Sequence, residues 1–241
     1  MARAFVAGAT GYTGRHVVEQ LARQGHEVIA HVRPDSSGLA AWRERFAAMG
    51  ATVDMTAWEA DAMRETLARV APTHVFSLLG TTQHRMKQLA AAGQDAESAS
   101  YERVDFGLTA LLIDAAGAVA PPPRFIYLSS MGVSSTPGAY MEARRKAEAK
   151  LASSGLPATV ARPGIITGED RGEDRPGERF GGVIAGGVFG ALRALGAKKL
   201  ASLYLPVTGD QLARALVTLA LDDAGIGKFE ADALRDAFER G

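Results

Sequence analysis

Between residues 3 and 162 the chain alternates short apolar runs with amphipathic stretches of helical length, and this rhythm constrains its fold more than any other feature. The runs are RAFVA, EVIAHV, ATVDM, THVFSLLG, RFIYLSS and PATVAR. Between them the spacing predicts helices near 13–24, 39–48, 61–70 and 104–117, and one opened by Tyr140. Strands interleaved with helices, rather than clustered, make βαβ units around a parallel sheet buried on both faces. The expected fold is therefore α/β, a doubly wound parallel sheet. A length of 241 residues with 47% hydrophobic and 22% charged residues suits a single domain of that kind over residues 1–241.

After Pro163 the rhythm breaks into a charged loop, GEDRGEDRPGERF at 168–180, then an apolar helix candidate at 183–197, a short SLYLPV, and the helix GDQLARALVTLAL. The apolar candidate is shorter than the roughly 20 residues that span a bilayer, so packing in a core or lid is expected instead. Arg171, Arg175 and Arg179 in the loop could meet an anionic ligand, but Glu169, Asp170, Glu173, Asp174 and Glu178 balance them. Lys plus Arg equals Asp plus Glu at 27 each, which gives no electrostatic reason to expect nucleic acid or a membrane as partner. A small-molecule ligand is the expectation, with the protein a monomer or homodimer. Cysteine is absent, and the five histidines include no close pair with helical metal-ligand spacing, so no metal centre is expected. The N-terminus MARAFVAGATG runs straight into a strand and a glycine turn, without a targeting segment, and a cytoplasmic protein is expected.

The motif GATGYTG puts Gly8, Gly11 and Gly14 directly after the first strand and at the start of the first helix. The first glycine permits a tight turn, the second lets the backbone approach a pyrophosphate, and the third lets helix pack on strand. The helix N-terminus adds N–H groups and positive dipole. Gly8, Thr10, Gly11, Tyr12, Thr13 and Gly14 are thus expected to hold a dinucleotide. Which one depends on the end of the second strand, AHVRPD, where Arg33 occupies the position that meets the ribose 2′-substituent. A planar guanidinium suits a 2′-phosphate, so NADP(H) is expected over NAD(H), with Asp35 as the counter-argument. Arg15 is either a second ligand of that phosphate or an exposed helix charge.

At this point the chain resembles the atypical short-chain dehydrogenase/reductases, the NAD(P)-binding group that includes the NmrA-like proteins, and within it the Tat-interacting-protein oxidoreductase branch. The stretches that carry the resemblance are GATGYTGRHVV, LLGTT, RVDFGLT, FIYLSSMG, EAKL, RPGIITG, RPGE and LPVTGDQLARA, in family order over nearly the whole chain. The resemblance implies that Asp54 and Met55 flank the adenine, that Gly80 and Thr81 line the middle of the cofactor, and that Pro163, Gly164 and Ile165 lie against the nicotinamide. It also implies a lid on the substrate side, formed by residues about 164–207.

The family's catalytic pattern is a serine after the fifth strand and Tyr-x-x-x-Lys on the next helix. The serine polarises a carbonyl, the tyrosine transfers a proton, and the lysine favours the phenolate and holds a cofactor ribose. Tyr140 fits the tyrosine, and Ser130, directly before MG, fits the serine better than Ser129 does. The lysine's place is taken by Arg144. At about 100° per residue position 144 returns to within roughly 40° of Tyr140's face, whereas Lys146 lies about 120° away. Arginine can stabilise a phenolate and bond a ribose but cannot give up its proton. Two readings follow. One is an NADP(H)-dependent oxidoreductase that reduces a small carbonyl or activated alkene with Ser130, Tyr140 and Arg144. The other is a non-catalytic NAD(P)-binding regulator or assembly protein, whose contact surface would be 183–197.

Overall fold

The computed structural model describes residues 1–168 and 206–240. Its first strand, β1 (Arg3–Ala7), buries every residue but the first, which gives it two apolar faces at once. The same holds for β2 (Glu27–His31) and β4 (His74–Ser77), and β5 (Arg124–Leu128) buries its three central residues, while β3 (Thr52–Asp54), β6 (Ala158–Arg162) and the late β9 (Gly227–Glu230) lie towards the edges. Together they form a seven-stranded sheet, all parallel, in the order β3-β2-β1-β4-β5-β6-β9. A second, two-stranded sheet pairs β7 (Ile166–Thr167) with β8 (Val207–Thr208).

Helices cover both faces of the large sheet because successive strand residues point to opposite sides. Val6, Phe76 and Ile126 face one layer, made with α1 (Tyr12–Arg23), α2 (Leu39–Ala48), α7 (Gly209–Leu221) and α8 (Ala231–Arg240). Their chain neighbours Phe5, Val75 and Phe125 face the other, made with α3 (Ala60–Val70), α5 (Thr109–Gly117) and α6 (Ala139–Ser153). Fully buried side chains such as Phe5, Phe76 and Phe125 each contribute about 1.5–3 kcal/mol of transfer free energy. α7 begins on a capping box, in which Thr208 and Gln211 satisfy each other's backbone N–H groups.

Four elements differ from the expected pattern. α4 (Gln83–Ala91) buries no residue, so it has no apolar stripe to read. The strand β9 is four residues long and α8 packs largely through Leu234 and Ala237. The stretch expected as one helix over 104–117 begins instead as a π-helix, Glu102–Leu108, continuous with α5. Most of the expected lid, the charged loop at 168–180 and the apolar candidate at 183–197 lie outside the described residues.

The strand order reverses between β1 and β4, and the crevice beyond the carboxyl ends of those strands is where such sheets bind ligands. No helix among the described residues is long and apolar enough to cross a membrane.

Candidate active site

The turn after β1 is built as its glycines require. Gly8 has φ +82°, and a Cβ there would lie 2.6 Å from the Leu78 carbonyl oxygen, so β1 leaves the sheet pressed against the end of β4. The Gly11 N–H donates to the Gly8 carbonyl at 3.0 Å, and a Cβ on Gly14 would come within 2.1 Å of that same oxygen. Only glycine fits at 8 and 14. α1 starts immediately afterwards with no side-chain cap and no acidic residue in its first turn, the setting in which a helix N-terminus can receive an anion.

Above this turn opens a cleft of about 840 Å³, within the range of small-ligand sites. Thr10, Gly11, Tyr12, Thr13 and Gly14 line it, as do Gly80 and Thr81, and Tyr140 and Arg144. These nine residues are the part of the expected site that the fold brings together. The cradle, the helix N-terminus and, among the described residues, a lining without aspartate or glutamate fit a dinucleotide. Tyr12 also anchors the turn to β7 and α7, donating its hydroxyl proton to the Thr167 carbonyl at 2.9 Å and accepting from the Gly209 N–H at 3.3 Å.

Arg144 is the most constrained side chain in the cleft wall. It is 5% exposed, and its Nη2 lies 2.8 Å from Oδ1 of Asp105, a carboxylate that is fully buried on the π-helix. Nη2 also donates to the Leu79 carbonyl at 3.2 Å, and Nη1 donates to the Leu128 carbonyl and, at 3.4 Å, to the Tyr127 hydroxyl. The guanidinium thus ties the end of β4 to the end of β5. Asp105 accepts the Thr81 N–H at 3.0 Å through its other oxygen, so the pair also fixes the Gly80–Thr81 loop. A Cβ on Gly80 would sit 2.9 Å from Nη2, so a side chain there would push against the guanidinium.

The helical spacing places Arg144 against Tyr140 as expected, with the guanidinium carbon 5.2 Å from the ring centroid, while Lys146 faces away and pairs with Glu102 at 2.9 Å. Burial works against the charge on Arg144, but Tyr127, Tyr140 and Asp105 outweigh it and raise its pKa above the ordinary arginine value. Burial pushes the Asp105 carboxyl up, against the pull of Arg144 and the Thr81 N–H. Tyr140 stacks edge-on with Tyr101, ring centroids 5.3 Å apart, and both line the cleft.

The two serines divide differently from the sequence reading. Ser129 lines the cleft, yet its hydroxyl is committed to Oε1 of Glu148 at 2.6 Å. Ser130 is not among the described residues that line the cleft, and its hydroxyl makes a long contact of 3.4 Å to the Met131 carbonyl. Glu148 is 7% exposed and takes a two-pronged contact from Arg162 at 2.6 and 3.0 Å, while Arg162 also reaches Glu230 at 2.8 Å. Burial alone would raise the Glu148 pKa, but the bonds from Arg162 and Ser129 leave it lowered.

The remaining expected positions surround the cleft without lining it. Arg33 projects from the end of β2 and pairs with Asp35 at 3.2 Å. Asp54 spends its carboxylate on Thr56, accepting the backbone N–H at 3.0 Å and the hydroxyl at 3.2 Å, with Met55 exposed beside it. Pro163 is buried, Gly164 half-buried and Ile165 exposed, and the cleft is lined by the next residue, Ile166. Asp105, Tyr101, Glu148 and Arg85 were missed. Asp105 alone left a signal, as an acid inside an otherwise apolar helical stretch. No group of three or more potential metal ligands occurs among the described residues.

Comparison with known proteins agrees with this geometry. The NAD(P)H-binding family model matches residues 8–186, which takes in the glycine turn, Asp105, Tyr140 and Arg144. The chain is 30% identical over 188 residues to protein TIC 62, chloroplastic, of Pisum sativum, a match covering 73% of this chain and 34% of that protein. It therefore spans about a third of that relative's length. Its fold is shared with a putative NAD-dependent epimerase/dehydratase from Bacillus halodurans, with a TM-score of 0.68, 19% identity and full coverage of both chains. It is shared too with the Bordetella bronchiseptica enzyme WbmH in complex with NAD+, with a TM-score of 0.66, 16% identity and coverage of 95% and 75%. The chain belongs to the NAD(P)H-binding, NmrA-like family of atypical short-chain dehydrogenase/reductases.

Proposed function

We propose that the protein is an NADP(H)-dependent oxidoreductase that reduces a small carbonyl or activated alkene. The observation that carries this reading is that Tyr140, the candidate proton donor, lines the same cleft as the Gly11–Gly14 turn. The turn and the α1 N-terminus bind the pyrophosphate, and Arg33 at the end of β2 meets the 2′-phosphate. The cofactor, once bound, supplies the hydride. Tyr140 donates its phenolic proton to the substrate atom that gains charge, and Ser130, after a local shift into the cleft, orients that atom. Arg144 holds the floor of the site and stabilises the phenolate that remains. Because a guanidinium does not give up its proton, the phenol is recharged from solvent rather than through position 144. A dinucleotide takes most of the cleft, so the room left suits a small substrate.

The same structure favours a second reading at one point. Arg144 spends its Nη groups on Asp105, Leu79, Leu128 and Tyr127, and so is held away from the ribose contact that a lysine makes. That arrangement suits a protein that binds NAD(P) for regulation or assembly. Titration with NADPH and NADH, followed by reduced-nicotinamide fluorescence, and then NADPH consumption with a panel of aldehydes, ketones and enones, separates the two. The oxidoreductase reading expects turnover with at least one substrate and a fall of about a hundredfold or more in Tyr140→Phe. An unchanged rate removes Tyr140 from the mechanism. Tight binding with no turnover across the panel selects the regulator.

A further inference from the structure

We propose that Arg85, on the first turn of α4, joins Arg33 in gripping the 2′-phosphate of NADP(H), and that Asp35 occupies the Arg33 guanidinium until that phosphate displaces it. This rests on the NADP(H) reading above and adds to it a residue outside the β2 end.

The chain as a whole is neutral, with 27 cationic and 27 anionic residues, but among the described residues the cleft lining contains Arg15, Arg85 and Arg144 and no aspartate or glutamate. The charge of Arg144 is matched from behind by Asp105. Arg15 lies over the Tyr12 ring at 5.1 Å. Arg85 makes no side-chain hydrogen bond or ion pair among the described residues. It stands where a cation is least welcome, in the first turn of a helix whose dipole is positive there and which has no acidic residue in that turn. The Thr82 hydroxyl already caps α4 by accepting the Arg85 backbone N–H at 3.2 Å, so the guanidinium is not needed for the helix start.

Arg33, Asp35 and Arg85 also feel one another. Burial and the Arg33 charge lower the Arg85 pKa, while Asp35 opposes the shift. Arg33 is paired with an exposed carboxylate at 3.2 Å, while Arg85 lines the cleft from the first turn of α4. Such a concentration of positive charge is unfavourable without an anion and favourable with one. A phosphate monoester brings about −1.5 to −2 charges and three acceptor oxygens, enough to bond both arginines. Local rules broken together at one place in a fold commonly mark a binding function. The pyrophosphate is provided for at the glycine turn, which leaves the 2′-phosphate for this pair.

The test uses the whole protein and calorimetric binding of 2′,5′-ADP and ADP, which carry the adenosine half with and without the 2′-phosphate. Wild type is compared with Arg85→Ala, Arg33→Ala, their double variant, Arg85→Lys and Asp35→Asn, with circular dichroism to confirm folding. Arg85→Ala is expected to weaken 2′,5′-ADP by about tenfold or more while leaving ADP within about twofold, as for a lost charge-assisted bond. Arg85→Lys is expected to fall between, because it keeps the charge and loses the fork. Asp35→Asn is expected to tighten 2′,5′-ADP alone. The inference is overturned if Arg85→Ala keeps the full wild-type preference for 2′,5′-ADP. It is equally overturned if ADP and 2′,5′-ADP weaken together, which would place Arg85 against the adenine or pyrophosphate. A wild type that does not distinguish the two ligands sinks the NADP(H) reading itself, a separate result.

Discussion

Replacing Asp105 by asparagine isolates what the buried ion pair beneath the cleft contributes. The substitution keeps the shape and one acceptor for the Thr81 N–H, now 3.0 Å from the carboxylate, but removes the anion that faces Arg144 at 2.8 Å. Arg144 stays charged, because no guanidinium deprotonates in the working range. Taking one partner from a buried pair costs about 3–5 kcal/mol. The carbonyls of Leu79 and Leu128 still accept from Arg144, and the Thr81 bond, worth about 1 kcal/mol, is kept, so the lower end, about 3 kcal/mol, applies. For a chain of this size each kcal/mol moves Tm by about 2–4 °C, which gives a drop of about 6–12 °C in a thermal melt. The double variant Asp105→Leu/Arg144→Met removes both charges and is expected to recover most of that loss, since an apolar pair of similar volume is commonly neutral or better. A drop below about 2 °C in Asp105→Asn would show that solvent screens the pair, and additive losses in the double variant would show that the two groups do not act as one.

Gly14→Ala is expected to abolish NADPH binding and lower Tm, because its Cβ would lie 2.1 Å from the Gly8 carbonyl oxygen; retained affinity in a nicotinamide fluorescence titration would contradict the packing described. Gly80→Ala pushes against Nη2 of Arg144 at 2.9 Å, so cofactor affinity should fall with a smaller loss of Tm, read from the same titration and a melt. Glu148 has its pKa lowered in the fold, so its contribution to stability is complete above its ordinary value of 4.5 and is lost as pH falls through the lowered value. Glu148→Gln should therefore show a Tm gap from wild type near neutrality that closes in acid, and a gap independent of pH would refute the linkage.

The sheet, its parallel sense and the glycine turn were legible because each rests on local chemistry. Strands such as RFIYL, apolar on both faces, and the spacing of Gly8, Gly11 and Gly14 leave few alternatives for a chain to fold into. The face shared by Tyr140 and Arg144 was legible too, since it follows from four residues of helix. Elements without a strong apolar stripe were not: α4 buries nothing, and the four-residue β9 depends on the distant β6 for its place. α8 carries a clear apolar stripe through Leu234 and Ala237 and was passed over. The π-helical start of α5 left no trace in the hydrophobic pattern, and it is this stretch that carries Asp105 to Arg144, behind the cleft wall.

The sequence by itself determined the fold class, the nucleotide turn and the absence of a lysine at position 144, all of which depend on residue type and short spacing. Only the tertiary structure decided what Arg144 does. Its partners are Asp105, 39 positions earlier, and carbonyls at the ends of β4 and β5, elements that sequence separation hides and strand pairing brings together. The same is true of Ser129, whose hydroxyl is committed to the Glu148 that α6 delivers to it. A side chain's type fixes which bonds it can make. Which of them it makes depends on the groups that the packed sheet and helices set against it.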